Sequence, residues 1–583
     1  MTSLTPRLRA LLAGALATAA LTGCARRTPA TAATPGGAYD LVITGGRLVD
    51  GTGNPWTYAD VGVRGDRIVR VAPRGALANA PAAQRVDARG QVVSPGFIDI
   101  QSHSWDALLW RDGRVVGKVA QGVTTEILGE STTPAPVNDA MRALLADDDP
   151  PGDAGATPRR LREGFVGARG FGAWLDAMER HGNSVNVGSY LGATTVRAYA
   201  MGQRQGAADA AALDTMRRVV ADAMRDGAFG VSSALIYPPG SFAGTAELIA
   251  QARAMAPFHG TYITHMRSED DSLFEAMDEA LRIGREGGVP VIIYHLKAAG
   301  RRNWPKAPRM VAKIDSARAA GQDVIATMYP YAASGNTLAS CFPDWAATDG
   351  KLLANLADPA MRARIRAAIT DTAPGAPDYC QRDPQAVMVQ GFRRAEWQRL
   401  NGMRLPAMAE ALGKPWPDAV IDVVLAEENR LSKITFSMDE ANVAMQLQRP
   451  WVVVGSDAGG QDPDSARGLT HPRAYGTYAR ILGKYVRQDS VLRLEDAVRR
   501  MTGATAQALG LRDRGLVREG MYADLVVFDP ATIADPATFE RPHQLATGVR
   551  HVWVNGVAVW RDGRHTGARP GRAVRGPGWT GAR

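Results

Sequence analysis

From Gly260 to His265 the chain reads as a buried strand, after which the apolar positions change period. Leu273, Met277, Leu281 and Gly284 recur at intervals of three and four, which predicts a helix from about Asp271 to Glu286. Gly287-Gly288-Val289-Pro290 stops that helix, and Val291-Ile292-Ile293-Tyr294-His295 follows as the next buried strand. Units of this kind repeat through the middle of the chain. They predict a parallel α/β architecture whose repeat number fits a TIM-like (β/α)8 barrel. The candidate barrel strands end near His103, Gly129, Leu191, Leu235, His265, His295, Tyr329 and Asp457. The interval between the last two is too long for a loop, so residues from about 341 to 450 read as an inserted, mostly helical subdomain.

The two ends of the chain follow a different pattern. Tyr39 to Val93 breaks into short strand runs with turn punctuation, such as Arg67-Ile68-Val69-Arg70-Val71, and the same pattern returns in Ala523 to Phe528 and His551 to Trp560. Residues 39–93 and 508–566 are therefore expected to form one small β-sandwich domain, leaving 94–507 as the barrel and 567–583 as a C-terminal tail. Residues 1–23 stand apart. Arg7 and Arg9 precede an apolar run from Ala10 to Leu21 that is too short to span a bilayer and has the order of a secretory signal.

With 583 residues, 45% of them hydrophobic and 22% charged, the rest of the chain suits a large folded enzyme. Its formal net charge of +9 is spread out, without a basic helix or interleaved aromatics, which argues against nucleic acid as a partner. A modest positive field suits a small carboxylate-bearing substrate instead. The mature body holds Cys341 and Cys380, whose pairing the spacing leaves open, as the pattern also leaves open the oligomeric state. In TIM-like barrels catalytic groups sit at the C-terminal ends of strands. Three of the nine histidines, His103, His265 and His295, close candidate strands, and Asp457 closes the apolar run Trp451 to Ser456.

Several motifs carry a more specific resemblance. Ser94-Pro95-Gly96-Phe97-Ile98-Asp99-Ile100-Gln101-Ser102-His103 resembles the first-strand signature of the amidohydrolase superfamily. Gly227 to Ser233, Leu235-Ile236-Tyr237-Pro238-Pro239-Gly240, Thr264-His265-Met266-Arg267-Ser268-Glu269, Gly455-Ser456-Asp457, His471-Pro472-Arg473 and Thr547 to Gly556 resemble its N-acyl-D-amino-acid deacylase (D-aminoacylase) branch. The resemblance implies a metal-dependent hydrolase barrel that cleaves the amide of N-acyl-D-amino acids. It also implies zinc or a similar divalent ion on His265 and His295, with a third ligand after the second strand. That ligand is often Cys in the family; here Glu130 is the nearby donor, and with two imidazoles it makes a normal catalytic zinc set. Gln101 stands where the signature has its first His, so one tightly held ion is expected, with His103 a weaker candidate ligand or a structural residue. By the same resemblance Asp457 is the general base and acid. Lys297 is the favoured holder of the substrate carboxylate, with Arg267 and Arg473 further candidates, and Tyr237 a donor to the developing oxyanion. Another amide or cyclic-amide hydrolase of the superfamily, dipeptidase or hydantoinase-like, remains the alternative, followed by a catalytically impaired binding lipoprotein.

Leu21-Thr22-Gly23-Cys24 resembles the bacterial lipobox. It implies cleavage before Cys24, lipidation of its thiol, a flexible tether over residues 24–38, and an anchored enzyme in the cell envelope, on the periplasmic face of the outer membrane. Each buried acyl methylene adds about 0.8 kcal/mol, so more than one chain on Cys24 anchors firmly.

Overall fold

A computed structural model describes residues 37–146, 155–373 and 375–581. Parallel strands Phe97–Asp99, Val123–Leu128, Asn186–Ser189 continuing as Leu191–Gly192, Gly230–Ala234, Thr261–His265, Val291–Ile293, Val324–Met328 and Val452–Val454 form the barrel. Its first and last strands meet at their C-terminal ends, where Asp457 N donates to Gln101 O at 2.8 Å and Ser102 bridges Ala458. Strand ends therefore fall where the hydrophobic runs place them, and the architecture is the TIM-like barrel expected.

The helix at Leu273–Gly287 buries Leu273, Met277, Leu281 and Gly284, with Ala276, Ala280 and Ile283 widening the stripe. Gly288 ends it in the left-handed conformation that Gly adopts without a Cβ clash. Gly284 is required by packing: a Cβ there would lie 2.2 Å from Val291 of the next strand. Inside the barrel Ile98, Ile127, Ile263, Ile292, Tyr294 and Val453 pack together, while the alternate residues Val454 and Ile293 face the surrounding helices.

Nine strands drawn from both chain ends make one sheet, in which Leu525–Phe528 pairs antiparallel with Val92–Pro95. The edge strand Arg67–Pro73 returns to meet residues 520–522, where Ile68 N donates to Met521 O at 2.9 Å. The sheet thus folds over a core of Ile43, Val61, Val93, Leu525, Val527 and Trp553.

Residues 341–450 carry mostly helices, with a small sheet that the sequence reading lacked. Strands Ser334–Thr337, Val387–Gln390 and Ser432–Thr435 form an antiparallel three-stranded sheet beside its helices. Helix Glu440–Leu447, assigned above to the insertion, packs on the last two barrel strands. A disulfide joins Cys341 to Cys380 within the insertion. The stretch after residue 566 also differs from a free tail: Val187 N donates to Arg572 O, Val574 N returns to Val187 O, and Val574 joins the barrel-interior cluster.

Candidate active site

The barrel strands deliver their polar residues to one mouth. Gly129 ends the second strand with φ +117, and a Cβ there would lie 2.3 Å from Tyr190 O, so only glycine makes the turn that swings Glu130 inward. Glu130 Oε1 then lies 3.3 Å from His265 Nδ1 and 3.5 Å from His295 Nε2. Its Oε2 accepts from Gln101 Nε2 at 2.8 Å and lies 3.4 Å from His103 Nε2. His265 and His295 stand edge-to-face with ring centroids 4.4 Å apart.

Asp457 approaches the same His103 nitrogen as Glu130. Its Oδ1 is 3.0 Å from His103 Nε2, and its Oδ2 is 2.8 Å from Arg473 Nη1. His295 and Asp457 both have left-handed backbone, φ +34 and +52, a conformation that costs energy for a non-glycine residue and clusters at functional sites. Burial alone would push the Asp457 carboxyl up, but the Arg473 guanidinium, His295 and the His103 hydrogen bond outweigh it and hold it below the usual carboxylate range. Asp457 is thus ionised at neutral pH, as a proton acceptor must be.

Glu269 is a site residue that strand-end reasoning missed. It follows the fifth strand in a loop, and its Oε1 lies 3.0 Å from His295 Nδ1 while its Oε2 lies 3.4 Å from His265 Nε2. The one sequence signal for it is its place four residues after His265. It lies beside both rings on the sides away from Glu130. Lys297 Nζ donates to both Glu269 oxygens at 2.7 and 2.9 Å and lies 2.7 Å from His295 Nδ1. Its charge is therefore built into the cluster.

The Arg267 guanidinium pairs with Glu279 at 2.8 Å and donates to Ser241 O and Ala243 O, so most of its donors brace the loop after Tyr237, while its side chain also lines the cleft. Arg473 is 5% exposed, holds Asp457 and donates to Gly335 O at 3.2 Å. Tyr237 lies with its ring 5.8 Å from that of His265. Burial pushes its hydroxyl far above the usual value, which keeps it a donor.

Glu130, His265 and His295 each offer one ligand atom, all within 4.8 Å of one another, and His103, Glu130 and Asp457 make a second such group sharing Glu130. The first set fits a divalent ion: two buried imidazole nitrogens and a carboxylate oxygen converge. Burial disfavours a proton on His103 and on His265, yet the surrounding carboxylates raise both pKa values to about 9. The cluster therefore attracts positive charge, which a bound cation supplies while releasing those protons.

The amidohydrolase family model matches residues 84–560. D-aminoacylase of Alcaligenes xylosoxydans xylosoxydans is 36% identical over 541 residues, covering 92% of this chain and 97% of that one. The chain belongs to the amidohydrolase family, in its D-aminoacylase branch. N-acyl-D-aspartate deacylase of the same organism is likewise 36% identical, over 92% of this chain and 95% of its own. Among solved structures, N-acyl-D-glutamate deacylase from Bordetella bronchiseptica superposes with a TM-score of 0.74 at 31% identity, covering 92% of this chain and all of that one. That relative was solved with zinc and a phosphonate inhibitor described as a mimic of the reaction's tetrahedral intermediate.

Proposed function

We propose that this protein hydrolyses the amide bond of N-acyl-D-amino acids to a carboxylate and a free D-amino acid. The observation that carries the proposal is the convergence of Glu130, His265 and His295 beside an ionised Asp457, at the barrel mouth of a chain in this family. The relatives' activities and the phosphonate complex of the Bordetella protein support it.

Glu130, His265 and His295 would hold a zinc-type ion, which when bound polarises a carbonyl and lowers the pKa of an attacking water. Asp457 takes the proton of that water as its oxygen adds to the amide carbon. The same carboxyl then returns the proton to the departing nitrogen, so the C–N bond breaks as a neutral amine leaves. Tyr237 donates to the oxygen on which negative charge develops. Arg473 fixes Asp457 and contributes positive charge toward the substrate carboxylate, whereas the Lys297 ammonium, expected from the sequence to hold that carboxylate, is taken up by Glu269 and His295. Glu269 lies beside both imidazoles and holds the Lys297 ammonium against them. N-acetyl-D- and N-acetyl-L-amino acids and dipeptides, assayed against metal content on one sample, test this reading. Turnover confined to dipeptides or to L-substrates overturns it.

The same proposal places the enzyme in the cell envelope, anchored through lipidated Cys24. Residues 1–36 lie outside the described residues, and among the described residues no helix is long and apolar enough to cross a membrane. The Cys341–Cys380 bond supports an oxidising compartment.

A further inference from the structure

The cleft above the site, about 1750 Å³, is walled on one side by the inserted sheet and contains a cation that the reaction leaves unused. Lys433 lines this cleft from strand Ser432–Thr435 and is 7% exposed. It stands directly opposite Asn336 in the antiparallel pair, and opposed residues project from the same face with Cβ atoms ~5 Å apart. Asn336 also lines the cleft and hydrogen-bonds Tyr237, whose ring abuts His265. Lys433 therefore stands on the same wall, one strand further from the metal cluster.

Arg267, Lys297 and Arg473 each face a carboxylate, but Lys433 does not. Its Nζ donates to Thr435 Oγ1 at 3.0 Å, and among the described residues it forms no ion pair. The carboxylate acting on it from a distance, Asp378, is paired with Arg302 at 3.2 Å. A buried ammonium without a counter-charge destabilises the fold. A hydrophobic side chain of similar length would serve a merely structural role at less cost. The retained charge at a cleft wall is a feature of ligand sites.

We propose that Lys433 receives a second carboxylate of the substrate, beyond the one next to the D-centre. The preferred substrates are then N-acyl-D-amino acids carrying an additional carboxylate, a class that rests on the deacylase reading and narrows it. That carboxylate has two sources, the side chain of an acidic D-amino acid or a dicarboxylic acyl group.

The test measures kcat/KM of the zinc-loaded full chain on N-acetyl-D-glutamate, N-acetyl-D-aspartate, N-succinyl-D-leucine and N-acetyl-D-leucine, for wild type, Lys433→Met and Lys433→Arg. Wild type is expected to favour at least one dicarboxylate over N-acetyl-D-leucine. Lys433→Met should lose about 10- to 100-fold on that substrate, mainly through KM, and stay within threefold on N-acetyl-D-leucine. Lys433→Arg should recover part of the loss. Preference for the N-acetyl acidic substrates assigns the carboxylate to the side chain, and preference for the succinyl substrate assigns it to the acyl group. Melting temperature supplies a second readout, and Lys433→Met should melt no lower than wild type. An equal effect of Lys433→Met on all substrates, no effect on any, or a marked fall in melting temperature overturns the assignment while leaving the deacylase reading standing. Absence of turnover on all four by zinc-loaded wild type overturns both.

Discussion

Asp457→Asn separates chemistry from architecture, and the structure sets what each should cost. Asp457 has φ +52, a region that Asn enters about as readily as Asp whereas Ala would add strain, so Asn is the substitution that leaves the backbone in place. The lost charge matters for stability because Oδ2 lies 2.8 Å from Arg473 Nη1 and both side chains are largely buried. Breaking a buried pair outright costs about 3–5 kcal/mol. The Asn carbonyl still accepts from the guanidinium, a bond worth about 1.5–3 kcal/mol, so the net loss is about 1–3 kcal/mol. In a body of this size that lowers the melting temperature by a few degrees and leaves the protein folded at 25 °C. The chemical effect is larger. Removing the proton acceptor should reduce turnover about 10²- to 10⁴-fold, or ~3–5 kcal/mol in the barrier. The assay is kcat on N-acetyl-D-amino acids per folded, zinc-loaded molecule, with metal content and melting temperature taken on the same preparation. Turnover within about tenfold of wild type would refute the assignment of Asp457 as the proton shuttle.

His265→Ala and His295→Ala each remove one of three converging donors, so zinc occupancy and activity should fall together; a variant that keeps its metal but loses activity contradicts the ligand assignment. One ion per chain should survive dialysis, because Gln101 spends its amide on Glu130 and Thr327, and two retained ions would show that His103 and Asp457 hold a second tightly. Burial lowers the Lys433 ammonium to about 8, so kcat/KM for N-acetyl-D-glutamate relative to N-acetyl-D-leucine should be constant below pH 7 and decline as pH rises through about 8. A flat ratio up to pH 9.5 contradicts its role in recognition. Cys24→Ser should shift the protein from the membrane to the soluble fraction with intrinsic activity retained, and unchanged partitioning defeats the anchoring proposal.

The legible parts of the sequence were those where one physical signal dominates. Barrel strands such as Val291–Ile293 and Val452–Val454 are apolar runs, and the helix at Leu273–Gly287 has an apolar stripe at helical spacing, so the repeating unit of the barrel followed from periodicity. The strand-end residues that converge at the mouth, His103, His265, His295 and Asp457, were visible because a strand fixes where its last side chain goes. Ser334-Gly335-Asn336-Thr337 has no such signal: its residues are polar, half-buried, and paired with Ser432–Thr435 nearly a hundred positions away. Glu269 and Arg267 lie in one loop after one strand, and only three-dimensional pairing sends one to the imidazoles and the other to Glu279. Lys433 is unremarkable in sequence, and its unpaired burial depends on where the inserted sheet docks.

The docking of residues 571–576 against the third barrel strand bears on biosynthesis. Val574 sits with Ile127, Ile263 and Phe229 inside the barrel, and Gly571 N and Val574 N donate to Asn183 O and Val187 O. A ribosome that has delivered all eight barrel strands has therefore not yet delivered everything that fills the barrel. The terminal sheet is likewise incomplete until Leu525–Phe528 reaches Val92–Pro95. The nascent chain thus cannot reach its final packing until its last segments emerge.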